Sequence, residues 1–376
     1  MSLGNRIAAE LRGDRAIWMV AILLSLVSLL AVYSTAGSLA WQSKGGNTTS
    51  YLIAHAIKLG FGLFIIYLVH MVHYRRFQQF APVMLLTTVA MLALTLVFGK
   101  NVNQATRWVD IMGVSIQTSE IAKIGLITYI AKELTRKQEN IRSFKEAFVP
   151  IIVPVVVVCG FIAPADLSTA VILFVACLLL MFIGRVSPRF IFLTLLFGVI
   201  TFAFLLLLAQ YGVETIRADT WRSRLMDYLQ NDDGNFQIQQ AKIAIANGGF
   251  FGNGPGSSIM RNFLPYAYAD FIYAIICEEY GMLGGLFVLS LYVFLMLRVV
   301  KLAVISPKAF GVFLAIGLGL LLTIQALTNI AVNVHLLPAT GQTLPMISMG
   351  GTSLILTCVA IGMILSVSKY IEQLNP

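Results

Sequence analysis

The sequence predicts an all-α polytopic membrane protein with about ten transmembrane helices, and three observations carry that expectation. Hydrophobic residues make up 58% of the 376 and charged residues 11%, against roughly 45–50% and 25% in soluble domains. Ten apolar runs approach the ~20 residues that a helix needs to cross ~30 Å of hydrocarbon. The Lys and Arg residues, 26 against 17 Asp and Glu, fall between the runs in the uneven pattern that the positive-inside rule requires. The first observation excludes a water-soluble enzyme. The length that ten runs consume excludes a large soluble domain.

The first run, residues 16–36, follows Arg6, Arg12 and Arg15; it is too long for a signal h-region and no small-residue cleavage site follows, so it reads as a retained helix. The others lie at 52–72, 80–98, 114–131, 147–163, 167–184, 189–210, 271–297, 309–333 and 351–368. The fourth is only weakly apolar. With the N-terminus in the cytoplasm, sixteen Lys and Arg fall on the cytoplasmic side and eight on the other, while Lys58 and Lys123 lie inside runs. Both termini are then cytoplasmic. Residues 1–15 read as a cytoplasmic tail, 211–268 as a large extracytoplasmic loop between helices 7 and 8, part of it re-entrant, and 1–376 as a single membrane domain. The net charge of +9 is thus a topology signal and no sign of nucleic acid.

Cys159, Cys177, Cys277 and Cys358 all sit in apolar runs, which leaves neither a disulfide framework nor a CxxC metal site. His55, His70, His73 and His335 are scattered and define no metal site. Glu120 and Lys123 are three residues apart, on one helical face, and can pair, either neutralising each other inside the bundle or lining a polar cavity. Lys58 is placed to snorkel, and Asp166, after Pro164, to cap the next helix. The glycine-rich stretch GGFFGNGPG lacks GxxxxGK[ST] and follows no strand, so neither phosphate-loop nor dinucleotide readings hold. Its glycines suit a tightly turned or re-entrant backbone.

Asp270 lies at the outer mouth of the eighth helix. A carboxylate there is half desolvated yet reachable from water, which suits a general base for a substrate whose lipid tail stays in the bilayer; the plain alternative is a helix N-cap. Glu278 and Glu279, two turns deeper with Gly281 behind them, read as a polar network. Arg107, Arg222, Arg224, Lys242 and Arg261 share Asp270's predicted side and have the chemistry to bind an anionic diphosphate.

Five segments, in order, resemble one family, the SEDS proteins (shape, elongation, division and sporulation). NQATRWVDIMGVSIQTSEIAKI resembles its NGxxRW…QPSExxK block, with Arg107, Trp108, Glu120 and Lys123. WRSRL resembles its outer-loop arginine motif, with Arg224, and FQIQQAKIAIANGGFFGNGPGSS its glutamine- and glycine-rich stretch, with Gln237 and Gln240. LPYAYADFIYAIICEEYG resembles LPExHTDFIFAxxxEExG, which puts Asp270 at the family's essential acid. HLLPATGQTLPMISMGGTSL resembles the C-terminal signature. Tyr266, Tyr268 and Ala269 depart from the Glu, His and Thr of that pattern. NIAVNVHLLPATGQTLP is closer to the division (FtsW) branch than to the elongation (RodA) branch.

The resemblance implies a peptidoglycan glycosyltransferase of the bacterial cytoplasmic (inner) membrane that polymerises lipid II on its outer face, for septal wall synthesis. Asp270 is then the catalytic base, and Arg107, Glu120, Lys123, Arg224, Gln237, Gln240, Lys242 and Arg261 bind substrate. No cofactor is required by any motif; a divalent cation, Mg or Mn, is compatible with the diphosphate leaving group. The implied partners are lipid II and the growing strand on undecaprenyl diphosphate, a class B penicillin-binding protein, other division proteins and membrane lipid, with no nucleic acid. A lipid II flippase, an elongation polymerase and a division scaffold are the rival readings.

Overall fold

All ten apolar runs are helical over most of their length in the computed structural model, which describes residues 13–43, 48–102, 105–111, 114–210, 218–229, 236–264 and 267–374. The helices are α1 (Arg15–Ser43), α2 (Thr48–Met71), α3 (Tyr74–Phe98), α4 (Thr118–Arg136), α5 (Val149–Ile162), α6 (Leu167–Ile183), α7 (Pro188–Gln210), α8 (Ala218–Leu229), α9 (Phe236–Gly248), α10 (Ile272–Ile305), α11 (Ala309–Asn333) and α12 (Gly351–Leu374). Seven helical segments are long and apolar enough to cross a membrane, and two more, Leu167–Ile183 and Pro188–Phe204, are apolar but shorter. The chain is therefore a multi-pass helical membrane protein. The eight runs other than the fourth and eighth begin or end within a few residues of these helices because each is set by composition alone.

The fourth run is where the expectation needs correction. Val114–Gln117 is a strand, and the helix starts only at Thr118. Lys100–Val102 (β1), Ala105–Ile111 (β2) and Val114–Gln117 (β3) form an antiparallel sheet in the order β1-β2-β3, with Trp108 opposite Gln117 and Asp110 opposite Ser115. α4 also carries Glu120, Lys123, Lys132, Glu133 and Arg136, too many charges for a lipid-facing span, and most of its residues are buried. The predicted loop 211–268 likewise holds two helices, α8 and α9.

Chain contacts group the residues into two compact units, 1–76 with 236–376, and 77–235. In the first, α2 packs on α12 through glycines: a Cβ at Gly62 would lie 2.7 Å from Cys358 Sγ, and one at Gly362 would lie 3.0 Å from the Ile66 carbonyl. Small residues permit such backbone approach where lipid supplies no hydrophobic drive. Asp14 caps α1, accepting from the N–H of Ala16 at 2.9 Å, and its other oxygen pairs with Arg298 at 2.5 Å. In the second unit, α4, α5 and α6 pack together, and Asp166 caps α6 by accepting from the Thr169 N–H at 3.1 Å, as its place after Pro164 predicts. The four cysteines are buried free thiols.

α10 has 34 residues, too many for one straight span, and breaks at Gly281 (φ 66°, ψ −167°). The remaining Met282–Ile305 stretch covers about 36 Å at ~1.5 Å per residue, enough for one crossing. The break is filled by the glycine-rich backbone that follows α9. Met282 N–H donates to the Gly249 carbonyl at 2.9 Å, while the carbonyls of Glu278 and Glu279 accept from Asn253 and Gly254 N–H at 3.0 and 2.9 Å. These bonds replace helical hydrogen bonds lost at the break, as burial demands. Two glycines make this contact possible: a Cβ at Gly252 (φ 83°) would meet the Glu279 carbonyl at 2.2 Å, and one at Gly281 the Phe250 carbonyl at 2.3 Å. Gly252→Ala is therefore expected to cost more than the ~1–2 kcal/mol of its left-handed backbone alone, read as a lowered melting temperature in detergent; an unchanged melt would refute the contact.

Candidate active site

Asp270 occupies the last turn before α10 and is half-buried. Its main-chain carbonyl accepts from Asn329 Nδ2 at 2.8 Å and from Asn333 Nδ2 at 3.0 Å. These two amides, with Gln325, recur every four residues and so form one ridge along α11; all three are buried. Asn329 Nδ2 also donates to the Gln342 carbonyl at 2.6 Å, and Gln325 Nε2 to the Thr343 carbonyl at 3.1 Å. Asn333 Oδ1 accepts the Ala274 N–H at 3.2 Å, satisfying a first-turn donor of α10 whose capping position is Phe271.

The ridge thus holds two non-helical pieces of backbone at once, the Asp270 turn and the segment between α11 and α12. That segment is itself tied to the turn: Ser348 Oγ donates to the Ala269 carbonyl at 2.6 Å and Met349 N–H to the Tyr268 carbonyl at 2.9 Å. Tyr292 Oη on α10 donates to the Pro345 carbonyl. Irregular backbone at membrane depth survives only where its polar groups are paired in this way. Gly341 (φ 70°) lies against the carboxylate, where a Cβ would sit 3.5 Å from Asp270 Oδ2. An apolar cluster of Ile238, Ala241, Leu264, Ala267, Phe271, Ala274, Ile275 and Val332 backs the turn. The carboxylate therefore projects from a turn whose main chain is fixed from three sides.

Of the other predicted residues in this unit, Gln237 and Gln240 are half-buried on α9 and Lys242 is exposed there. Lys242 lies close enough to His335 that its charge, after burial, is the second cause holding that imidazole below its usual pKa and hence neutral at pH 7. Arg261 is engaged elsewhere, donating to the Ser34 carbonyl at 2.9 Å. Beside it, Glu278 accepts from Ser258 Oγ and from the N–H of Ile259 at 3.1 Å, and Glu279 from Ser34 Oγ and the Ser258 N–H at 3.3 Å. The predicted polar network is present, and it secures the 258–261 turn to α10 and α1.

In the second unit, Lys123 Nζ pairs with Glu120 Oε1 at 2.8 Å, with side chains only 3% and 7% exposed. Glu120 sits in the first turn of α4, where the helix dipole favours an anion. α4 fits closely on α3, where a Cβ at Gly125 would meet Thr88 Oγ1 at 2.5 Å. Arg224 is half-buried and bonded on α8. Arg107 falls on β2, beside Trp108, and its side chain, like that of Arg222, lies outside the described residues. Tyr266 lies outside them altogether. Among the described residues, no three His, Cys, Asp or Glu side chains gather into a metal-binding group.

The amide ridge is what sequence reasoning missed, although its signal was visible: three amides spaced by four in an otherwise apolar run. Asn329→Leu removes a donor from the carbonyls of Asp270 and Gln342, and should cost ~1–3 kcal/mol, seen as a lowered melt. A melt equal to that of the unmodified protein would refute the clamp.

The FtsW/RodA/SpoVE family profile, described as cell cycle protein, matches residues 14–373. The probable peptidoglycan glycosyltransferase FtsW of Geobacter metallireducens is 34% identical over 96% of this chain and 96% of its own length. Stage V sporulation protein E of Bacillus subtilis is 32% identical, over 95% and 97%. A solved peptidoglycan synthase complex, described as coordinating polymerization and crosslinking, matches at TM-score 0.76 and 24% identity, over 96% of this chain and 99% of that one. Thermus thermophilus RodA matches at TM-score 0.68 and 22% identity, over 95% and 96%. The solved structures share the fold, and the curated relatives share sequence from end to end: the chain belongs to the FtsW/RodA/SpoVE family of cell cycle proteins.

Proposed function

We infer that this multi-pass protein of the bacterial cytoplasmic membrane is a peptidoglycan glycosyltransferase that polymerises lipid II, with Asp270 as its base. The observation that carries the assignment of the base is the seating of Asp270, a carboxylate on a turn clamped through its main chain by Asn329 and Asn333. A base whose turn is held through its backbone stays in place as charge moves. In the reaction, an Asp270 oxygen takes the proton from the acceptor's N-acetylglucosamine 4-hydroxyl while that oxygen attacks the anomeric carbon of the donor. The bond to undecaprenyl diphosphate breaks and the diphosphate leaves with the electron pair. An α-linked donor giving a β-1,4 product needs one displacement with inversion, hence one base and no covalent intermediate. The diphosphate calls for positive charge more than for a proton, a task that the resemblance gives to Arg107, Lys123 and Arg224, with Lys242, Gln237, Gln240 and Arg261 as further contacts and Glu120 orienting Lys123.

The finer topology belongs to the same reading: ten spans, both termini cytoplasmic, and residues 211–268 outside, with exposed Phe250 and Phe251 beside the glycine turn dipping into the membrane. Septal synthesis follows from the division-type C-terminal segment, and a class B penicillin-binding protein would crosslink the strands, since nothing in these residues resembles a transpeptidase Ser-x-x-Lys site on a soluble domain. The test uses the purified full-length protein in liposomes loaded with lipid II. Polymer must appear on the side that holds the 211–268 loop. Translocation of lipid II without polymer would make the chain a transporter instead.

A further inference from the structure

The turns that the charge distribution assigns to the cytoplasm hold two arginines that polymerisation does not use. α6 ends in a Schellman motif: the Arg185 N–H donates to the Phe182 carbonyl at 3.0 Å, the Val186 N–H to the Met181 carbonyl at 3.1 Å, and Val186 is buried behind them. This places residue 185 in the left-handed region, at φ 65°. Glycine is the usual occupant because a Cβ there costs about 1–2 kcal/mol. The glycine of this turn, Gly184, stands one position earlier and serves packing instead, since a Cβ on it would meet Leu134 Cδ2 at 2.7 Å. The strained position is given to an arginine.

Gln138 fixes the neighbouring turn, its Nε2 donating to the Leu134 carbonyl at 2.8 Å and to that of Gly184 at 3.4 Å. Arg142 and Arg185 consequently line one cleft of ≈ 430 Å³ with Gln138, Asn140, Ser143 and one acid, Glu139. They also line a second, of ≈ 310 Å³, with Phe182, Ser187 and Pro188. Both arginines are exposed, and among the described residues neither guanidinium has an ion-pair or hydrogen-bond partner. Arg136, on the preceding turn, is by contrast paired with Glu133 at 2.6 Å. Phe182 and Phe144, 59% and 50% exposed, give the region an apolar border.

We propose that this cleft binds the phosphate of an anionic phospholipid headgroup, with Arg142 and Arg185 as its forked donors and Phe182 and Phe144 against the acyl chains. Guanidinium groups bind phosphate oxygens in pairs, and basic pockets at helix ends on the cytoplasmic side hold lipid headgroups. The apolar border favours a lipid over soluble phosphate, which has no use for it. Binding offsets what the left-handed arginine costs the fold, which is why an arginine is held there.

Arg185→Gly makes the test clean, because glycine relieves the backbone and its effect cannot be blamed on misfolding. Purified full-length protein, Arg185→Gly and Arg142→Gln/Arg185→Gly are each melted in detergent with added phosphatidylglycerol, phosphatidylcholine or inorganic phosphate, and retained lipid is counted by native mass spectrometry. Phosphatidylglycerol should raise the melting temperature of the unmodified protein where phosphatidylcholine does not, and the double variant should retain it at least about tenfold less, for the two ion pairs lost. Without lipid, Arg185→Gly should melt at or above the unmodified protein. The proposal falls if the double variant keeps the same preference, if both lipids stabilise equally, or if inorganic phosphate alone reproduces the stabilisation.

Discussion

Asp270→Asn is expected to slow lipid II polymerisation by about 10²–10⁴, the typical worth of a well-placed general base. Asparagine has the shape of aspartate but no basicity at neutral pH, so the acceptor hydroxyl would have to lose its proton to water. The turn should survive the change, because Asn329 and Asn333 hold the main-chain carbonyl of residue 270 and not its side chain. The variant should therefore melt with the unmodified protein and bind lipid II with equal affinity while yielding little polymer on a gel. Polymerisation at the ordinary rate would remove Asp270 from the mechanism. A collapse in stability would show that the carboxylate had a structural task at the mouth of α10.

The second large effect is expected at the buried pair of α4. Lys123→Met strands the Glu120 carboxylate in a site where it is only 7% exposed, and breaking one half of a buried ion pair costs ~3–5 kcal/mol. Glu120→Gln with Lys123→Met removes both charges and should recover most of that loss, because the desolvation cost disappears along with the attraction. The double variant also separates structure from chemistry. If Lys123 stabilises the departing diphosphate, the double variant melts normally and still fails to polymerise; if the pair only neutralises itself, activity returns with stability.

Much of the fold was legible from composition. Hydrophobic runs are a local property of the chain, and all ten are helical over most of their length, as a backbone that must bond within its own segment requires. The N-cap at Asp166, the Glu120–Lys123 pair and the network around Glu278 and Glu279 were legible for the same reason, since each depends on neighbours one turn away or on the cost of burying charge. The strand at Val114–Gln117 was not. Its four residues continue smoothly into an apolar helix, and only pairing with Val109 and Ile111 across the hairpin decides between the two.

The site divides along the same line. Asp270, the candidate cations and the glycines could be located by motif, yet the partners that hold the Asp270 turn lie 59 and 63 residues away in the chain. The break in α10 needed Gly281 to meet a backbone thirty residues earlier. By itself the sequence determined that this is a multi-pass helical membrane protein of one family, and which residue types it brings to the chemistry. Only the tertiary structure decided that three amides on α11 bind the Asp270 turn to the segment before α12, because a buried amide advertises its need for a partner without naming it, and the partner is chosen by packing over long separations.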